Sequence, residues 1–210
     1  MDVNTIIANM KKQGQDIVRR KKVFSWGDFD TCKQLFCEIF QSVDTSMTKF
    51  EFLPEYNQII EWMTNTRGRG LLLCGDCGRG KSSILSGVIP VLLYQKTHLT
   101  IRAIHSQSFE TPCKATWATT LDKPKNIDYL CNCPYPIIDE IGVESQITNY
   151  GEKYEGFNRV LNIAEQKLNP VFVSTNLTPE QLLERYDVRT MERLIRLCTM
   201  ITFKGESKRQ

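Results

Sequence analysis

Apolar positions fall into two kinds of stretch along the 210 residues. Short, mainly apolar stretches at 71–74, 99–104, 135–138, 170–176 and 200–203 predict five strands, with those at 71–74 and 135–138 buried. Between them, apolar residues recur at helical spacing. Leu35, Phe36, Ile39 and Phe40 predict a helix that ends near Phe40, with Asp28 or Asp30 as its cap. Tyr56, Ile59, Ile60 and Met63 predict another over 54–64, and Phe157, Val160, Leu161 and Ala164 a third over 154–166. Helices are also expected at 83–94, with a kink or last turn at Pro90, and at 179–186 and 188–197. Residues 1–22 read as a weak helix with Gly14 inside it. The stretch 106–132 is ambiguous, with a helix expected around 115–121. Strands alternating with helices mean an α/β fold on a mainly parallel five-stranded sheet flanked by helices. Such sheets bind ligands at the carboxyl ends of their strands, and Asp76, Asp139 and Asn176 all follow strand ends. The expected division is an N-terminal helical arm at 1–50 and a catalytic domain at 51–210, with no separate lid domain before Gln210.

The first strand runs into candidate chemistry. Gly75-Asp76-Cys77-Gly78-Arg79-Gly80-Lys81-Ser82 fits the phosphate-binding loop, G-x-x-x-x-G-K-[ST], between a strand and a helix. Glycines let several backbone N–H groups turn inward on one anion, and the following helix points its positive end there. Lys81 would reach the β- and γ-phosphates, and the Ser82 hydroxyl would hold Mg²⁺. Asp139 follows a buried strand, as an aspartate that holds Mg²⁺ should, and Glu140 beside it can polarise a water for in-line attack. Asn176 can hydrogen-bond the γ-phosphate or that water. Arg185, Arg189, Arg193 and Arg196 lie near one helical face. No Asn-Lys-x-Asp guanine signature occurs, which favours ATP over GTP.

Charge and cysteines add two expectations. Residues 1–22 hold six basic and two acidic residues, a net of +4 against +3 for the whole chain. This arm could meet single-stranded DNA or an acidic partner, or be a solvated helix end. The polar start and the lack of a long apolar run predict a cytoplasmic protein off the membrane, so the eight cysteines read as reduced thiols. Cys74-x-x-Cys77 has zinc spacing, but Cys77 would then compete with nucleotide.

The chain resembles the DnaC/IstB-type AAA+ ATPases over about residues 50–210. The match rests on the phosphate loop, Ile-Ile-Asp-Glu-Ile-Gly-Val-Glu, Asn149-Tyr150-Gly151-Glu152, Val-Ser-Thr-Asn-Leu, Arg189-Thr-Met-Glu-Arg193-Leu and Gly205-Glu-Ser-Lys-Arg209, in that order. The resemblance implies an AAA+ P-loop fold, ATP hydrolysis at subunit interfaces of a nucleotide-dependent homo-oligomer, and action on DNA. It further implies that Asn176 is similar to sensor 1, Arg193 to the arginine finger and Arg209 to sensor 2. Family members load replicative helicases or assist transposases. Near Ala164-Glu165 the chain departs from the family's Arg-Tyr, and the N-terminal part matches no named pattern. The leading expectation is a replication ATPase with a replicative helicase as partner. A transposition regulator, a P-loop small-molecule kinase and a nucleotide-gated binding module are the alternatives.

Overall fold

The computed structural model describes residues 2–14, 21–44, 50–113, 124–149 and 152–207. Its elements are α1 (Val3–Lys12), α2 (Phe29–Val43), α3 (Tyr56–Thr64), β1 (Gly70–Gly75), α4 (Lys81–Ser83), a π-helical turn (Ile84–Val88), α5 (Ile89–Thr97), β2 (Ala103–His105) and a 3₁₀ turn (Ser106–Ser108). They continue as α6 (Asn126–Asn132), β3 (Ile137–Asp139), β4 (Ile147–Asn149), β5 (Glu152–Tyr154), α7 (Gly156–Lys167), β6 (Phe172–Ser174), α8 (Pro179–Arg185), α9 (Val188–Leu197) and β7 (Cys198–Phe203).

Five strands form one parallel sheet in the order β2-β3-β6-β1-β7. Alternate residues fill two cores, because successive side chains of a strand point to opposite faces. Leu71, Leu73, Ile137, Phe172, Ile201 and Phe203 face α2, α3 and the helical stretch from Ile84. Leu72, Ile138, Val171 and Val173 face α6 to α9. The expected five-stranded α/β sheet is therefore present.

Helix α2 starts at Asp28, whose carboxylate accepts from the Thr31 N–H at 2.9 Å. It buries Cys32, Phe36, Ile39 and Phe40 in the same core as β1. Helix α3 buries Tyr56, Ile59, Ile60 and Met63, the expected stripe. The N-terminal helix is shorter than 1–22. Asp2 caps it, Gln13 ends it, and Gly14 follows at φ +83°.

Four expectations need correction. The helix at 83–94 begins at Lys81, runs to Thr97, and contains a π turn at Ile84–Val88 rather than a simple kink. Pro90 has no N–H, and its ring crowds the carbonyl four residues earlier. A wider turn relieves that crowding, and Ile89 N–H reaches back five residues to the Ile84 carbonyl. The strand at 99–104 shrinks to Ala103–His105, because Leu99 and Thr100 sit exposed in the preceding loop. Helix α6 occupies a stretch left unassigned; Ile127, Leu130 and Cys131 form its buried stripe. The β4–β5 hairpin pairs Ile147 with Tyr154, so the helix expected from 154 starts at Gly156 instead. The helix expected at 115–121 lies outside the described residues. Among those residues, no helix is long and apolar enough to cross a membrane.

Gly70 opens β1 where the backbone of β6 comes close. A Cβ there would lie 1.8 Å from the Val171 carbonyl oxygen, which accepts the Leu71 N–H at 3.0 Å. Gly70→Ala should lower stability by about 1–3 kcal/mol, since backbone must move to admit the methyl. Urea unfolding measures this, and an unchanged midpoint would mean that the two strands are not so tightly apposed.

Candidate functional site

All five parallel strands end at one edge, and the candidate residues lie there because their strands do. The loop between β1 and α4 turns at Gly75 (φ +110°) and Gly80 (φ +84°), angles that a side chain resists. A Cβ on Gly80 would lie 2.9 Å from the Tyr56 hydroxyl, so that glycine also serves close packing. Lys81 is buried and donates to the carbonyl oxygens of Gly75 at 2.8 Å and Asp76 at 2.6 Å. Burial pushes its pKa below the ordinary lysine value, against the pull of Cys77 and Asp76.

Strand β6 lies between β1 and β3. From its end, Ser174 donates to Asp139 Oδ1 and accepts the Glu140 N–H at 3.0 Å. Ser82 donates to the same Asp139 oxygen at 3.2 Å. The phosphate loop and the Asp-Glu pair, 57 residues apart, therefore meet. Glu140 sits at φ +58°, a conformation uncommon for a residue with a Cβ. Ser106 Oγ donates to its carbonyl oxygen, and Ile141 N–H donates to the Ser174 carbonyl at 2.8 Å. Together these bonds over-determine the turn and offset its strain.

The Glu140 carboxylate has two neighbours. Asn176 Nδ2 lies 3.5 Å from Oε1, and His105 Nε2 lies 3.1 Å from Oε2. The Gln107 N–H donates to His105 Nδ1 at 3.3 Å, so Nδ1 carries a lone pair and Nε2–H donates to Glu140.

Asp139, Glu140, Asn176, Lys81 and Ser82 are thus brought together. Other candidates lie elsewhere. Arg193 Nε and Arg196 Nη2 both pair with Glu165 on α7, each at 3.0 Å. Arg185 pairs with Glu155. Arg189 is exposed on α9. Arg209 lies outside the described residues, as do parts of the N-terminal arm. Cys74 is buried and its thiol lies 3.6 Å from the Ile201 carbonyl, whereas Cys77 is exposed.

Sequence reasoning missed His105 and Ser174. Both occupy strand ends at the same edge as Asp139; for His105 that position was the available signal, and Ser174 also lies in the Val-Ser-Thr-Asn-Leu motif. It also missed an ion pair beneath the loop. Arg79 Nη2 lies 2.6 Å from Glu55 Oε1, with both side chains at most 10% exposed. The Lys204 N–H donates to the same oxygen at 3.1 Å. Beside it, the Gly205 N–H donates to Asp76 Oδ2 at 2.8 Å, so the segment after β7 runs across the phosphate loop.

No protein-family model and no curated protein matches the chain. Solved structures do. DnaI is 19% identical, with a TM-score of 0.56 over 80% of this chain and 94% of its own. The DnaC helicase loader is 13% identical, with a TM-score of 0.54 over 79% of this chain and 98% of its own. AMPPCP-bound DnaA from Aquifex aeolicus is 13% identical, with a TM-score of 0.50 over 79% of this chain and 53% of its own. This chain shares its fold with these solved structures.

The Glu55–Arg79 pair makes a pH prediction. Burial raises the Glu55 pKa, but hydrogen bonds from its own backbone, Arg79 and Lys204 outweigh this and hold it below the ordinary 4.5. A carboxyl depressed on folding stabilises above its unfolded pKa, and the effect is lost as pH falls through the folded value. Glu55→Gln should cost about 3–5 kcal/mol near neutral pH, since it leaves Arg79 buried without a counter-charge. Chemical unfolding from pH 7 to 3 should show the gap to wild type narrowing below about pH 4.5. A gap independent of pH would mean that Glu55 is not the ionised partner.

Proposed function

We propose that this protein is a Mg²⁺-dependent ATPase of the AAA+ class that acts in DNA replication as a helicase-loader-like protein. The observation that carries the reading is the convergence of Ser82, Asp139, Glu140 and Asn176 at one sheet edge, beside the buried Lys81. Similarity to the DnaC helicase loader supports the replication role, and similarity to DnaA bound to AMPPCP supports a nucleoside triphosphate ligand. The partner is then a replicative helicase, with single-stranded DNA as a candidate ligand of the basic N-terminal arm.

Each residue has a task in this reading. The loop amides and Lys81 take the phosphates, and Lys81 exchanges the Gly75 and Asp76 carbonyls for β- and γ-oxygens. Ser82 and Asp139 offer adjacent hard oxygen donors, a set that suits Mg²⁺ with water completing the shell. Bound there, the ion would neutralise phosphate charge. Glu140 accepts a proton from the attacking water through Oε1, with Oε2 held by His105. The products are ADP and inorganic phosphate. Asn176 orients the same water.

An arginine from a neighbouring subunit would complete the charge on the γ-phosphate. Arg193 has that role by resemblance, but its bond to Glu165 favours a second candidate. Arg189 is exposed on the same helix and makes no ion pair among the described residues, although its charge is felt by the Asp187 carboxylate.

Glu140→Gln should bind ATP yet turn it over roughly 10²–10⁴-fold more slowly, because the amide keeps the shape and loses the base. Lys81→Ala should lose tight binding. Titration with a fluorescent ATP analogue and steady-state phosphate release separate the two effects. Intact binding with near wild-type turnover in Glu140→Gln would remove Glu140 as the base.

Mixing Glu140→Gln with Arg193→Ala, and separately with Arg189→Ala, identifies the finger. Activity should return for the arginine that acts in trans, because some interfaces then pair an intact base with an intact arginine. Full activity of both arginine variants, in a protein shown by sizing to be monomeric, would end the shared-site account.

A further inference from the structure

Beyond the catalytic edge, one buried carboxylate has the geometry of a positioning device. Glu144 is 5% exposed and lies four residues after Glu140. Its Oε2 accepts the Gly142 N–H at 2.7 Å, which braces the chain two residues after Glu140, where Gly142 is itself left-handed at φ +100°. Its Oε1 accepts the Tyr186 hydroxyl. Its backbone carbonyl accepts from Arg185 Nη2 at 3.1 Å. Arg185 in turn holds both oxygens of Glu155, at the start of α7, at 3.2 and 3.3 Å.

Tyr186 cannot drift from this place. It is 5% exposed, and its ring packs 5.3 Å from that of Phe157. Burial and the Glu144 charge together push its pKa up, so the hydroxyl keeps its proton and donates. Tyr186 ends α8. The next residue, Asp187, caps α9 by accepting the Thr190 N–H at 2.6 Å. One side chain therefore links the turn that sets Glu140 to the junction that sets α9 and its arginines.

We propose that Glu144 and Tyr186 form a positioning pair that holds Glu140 in its hydrolytic orientation and ties that orientation to the placement of α9. The proposal rests on the reading of Glu140 as the base. A carboxylate with both oxygens bonded keeps Gly142 and Glu140 in their left-handed turn. Without the hydroxyl, one buried carboxylate oxygen lacks a donor and the turn relaxes. Neither residue is assigned contact with nucleotide, so binding and turnover should separate.

The test is Tyr186→Phe, which removes one oxygen. It should bind a fluorescent ATP analogue within about two-fold of wild type but release phosphate up to roughly 10²-fold more slowly, the scale of a misplaced catalytic group. In the Glu140→Gln background the same change should add no further loss, because the group it positions is already gone. Glu144→Gln should restore most of the rate relative to Glu144→Ala, since the amide can accept from Gly142 and donate to Tyr186. Should Tyr186→Phe fail to fold, Glu144→Asp keeps the charge and shortens the reach, with the same split expected. Wild-type turnover untouched by Tyr186→Phe or Glu144→Asp would overturn the pair alone. So would a parallel loss of binding and turnover, or a further loss on top of Glu140→Gln. A wild-type protein that binds ATP without hydrolysing it would sink the reading of Glu140, and this one with it.

Discussion

The pairing of β6 between β1 and β3 is the constraint on which the rest depends. It aligns Leu71 with Phe172 on one side and Ile137 with the same Phe172 on the other. Parallel strands in that register end together, so Ser174 arrives level with Asp139, and Asn176 arrives near Glu140. Ser174 then binds two groups of the neighbouring strand end, the Asp139 carboxylate and the Glu140 N–H. A slip of one residue would turn Phe172 from one core to the other and take Ser174 away from Asp139. The two cores fix the register, and the register sets the distances at the edge.

That edge carries destabilising features which the surroundings offset. Glu140 occupies a left-handed conformation, and Lys81, Arg79 and Glu55 are withdrawn from water. Each costs free energy alone, and each has partners. Lys81 has two carbonyls, Glu55 has Arg79 and an N–H, and Glu140 has bonds on both its N–H and its carbonyl. Such an arrangement resists motion, which would suit the proposed catalytic groups, since these must act without reorganising as charge develops. The apolar layers beneath make this tolerable: Phe36, Phe40, Tyr56 and Phe203 pack as one aromatic cluster directly under the loop.

Much of this was legible in the residues. Amphipathic stretches such as that of α3, and the runs that became β1 and β6, carry most of their burial pattern, because a strand buried on two faces is mainly apolar; the polar exception, Ser174, sits at the strand end. The phosphate loop is a local signal and needs no tertiary context. Short elements were harder. Helix α6 has seven residues, and its stripe of Ile127, Leu130 and Cys131 spans barely one turn. The π turn follows from Pro90, yet a proline dictates only that a bond is lost, not how the chain absorbs the loss. His105 is an ordinary polar residue in sequence, and Ser174 and Glu144 fall inside motifs whose spelling does not say what they touch. Their roles come from pairings across 35, 34 and 42 residues, which no local pattern encodes.

Glu165 shows how a departure from a family pattern becomes physical. Where the resemblance leads one to expect Arg-Tyr, this chain has Ala164-Glu165. Ala164 is buried against the sheet, so the small side chain suits the packing of α7 against α9. Glu165 projects beside α9 and takes Arg193 with one oxygen and Arg196 with the other. A carboxylate that holds two guanidinium groups orders both and cancels part of their charge. An arginine meant to meet a phosphate must then leave that carboxylate or share with it, whereas Arg189, one turn earlier on α9, makes no ion pair among the described residues and has only the field of Asp187 nearby. The departure therefore bears on which arginine of α9 would be free for the proposed role in trans.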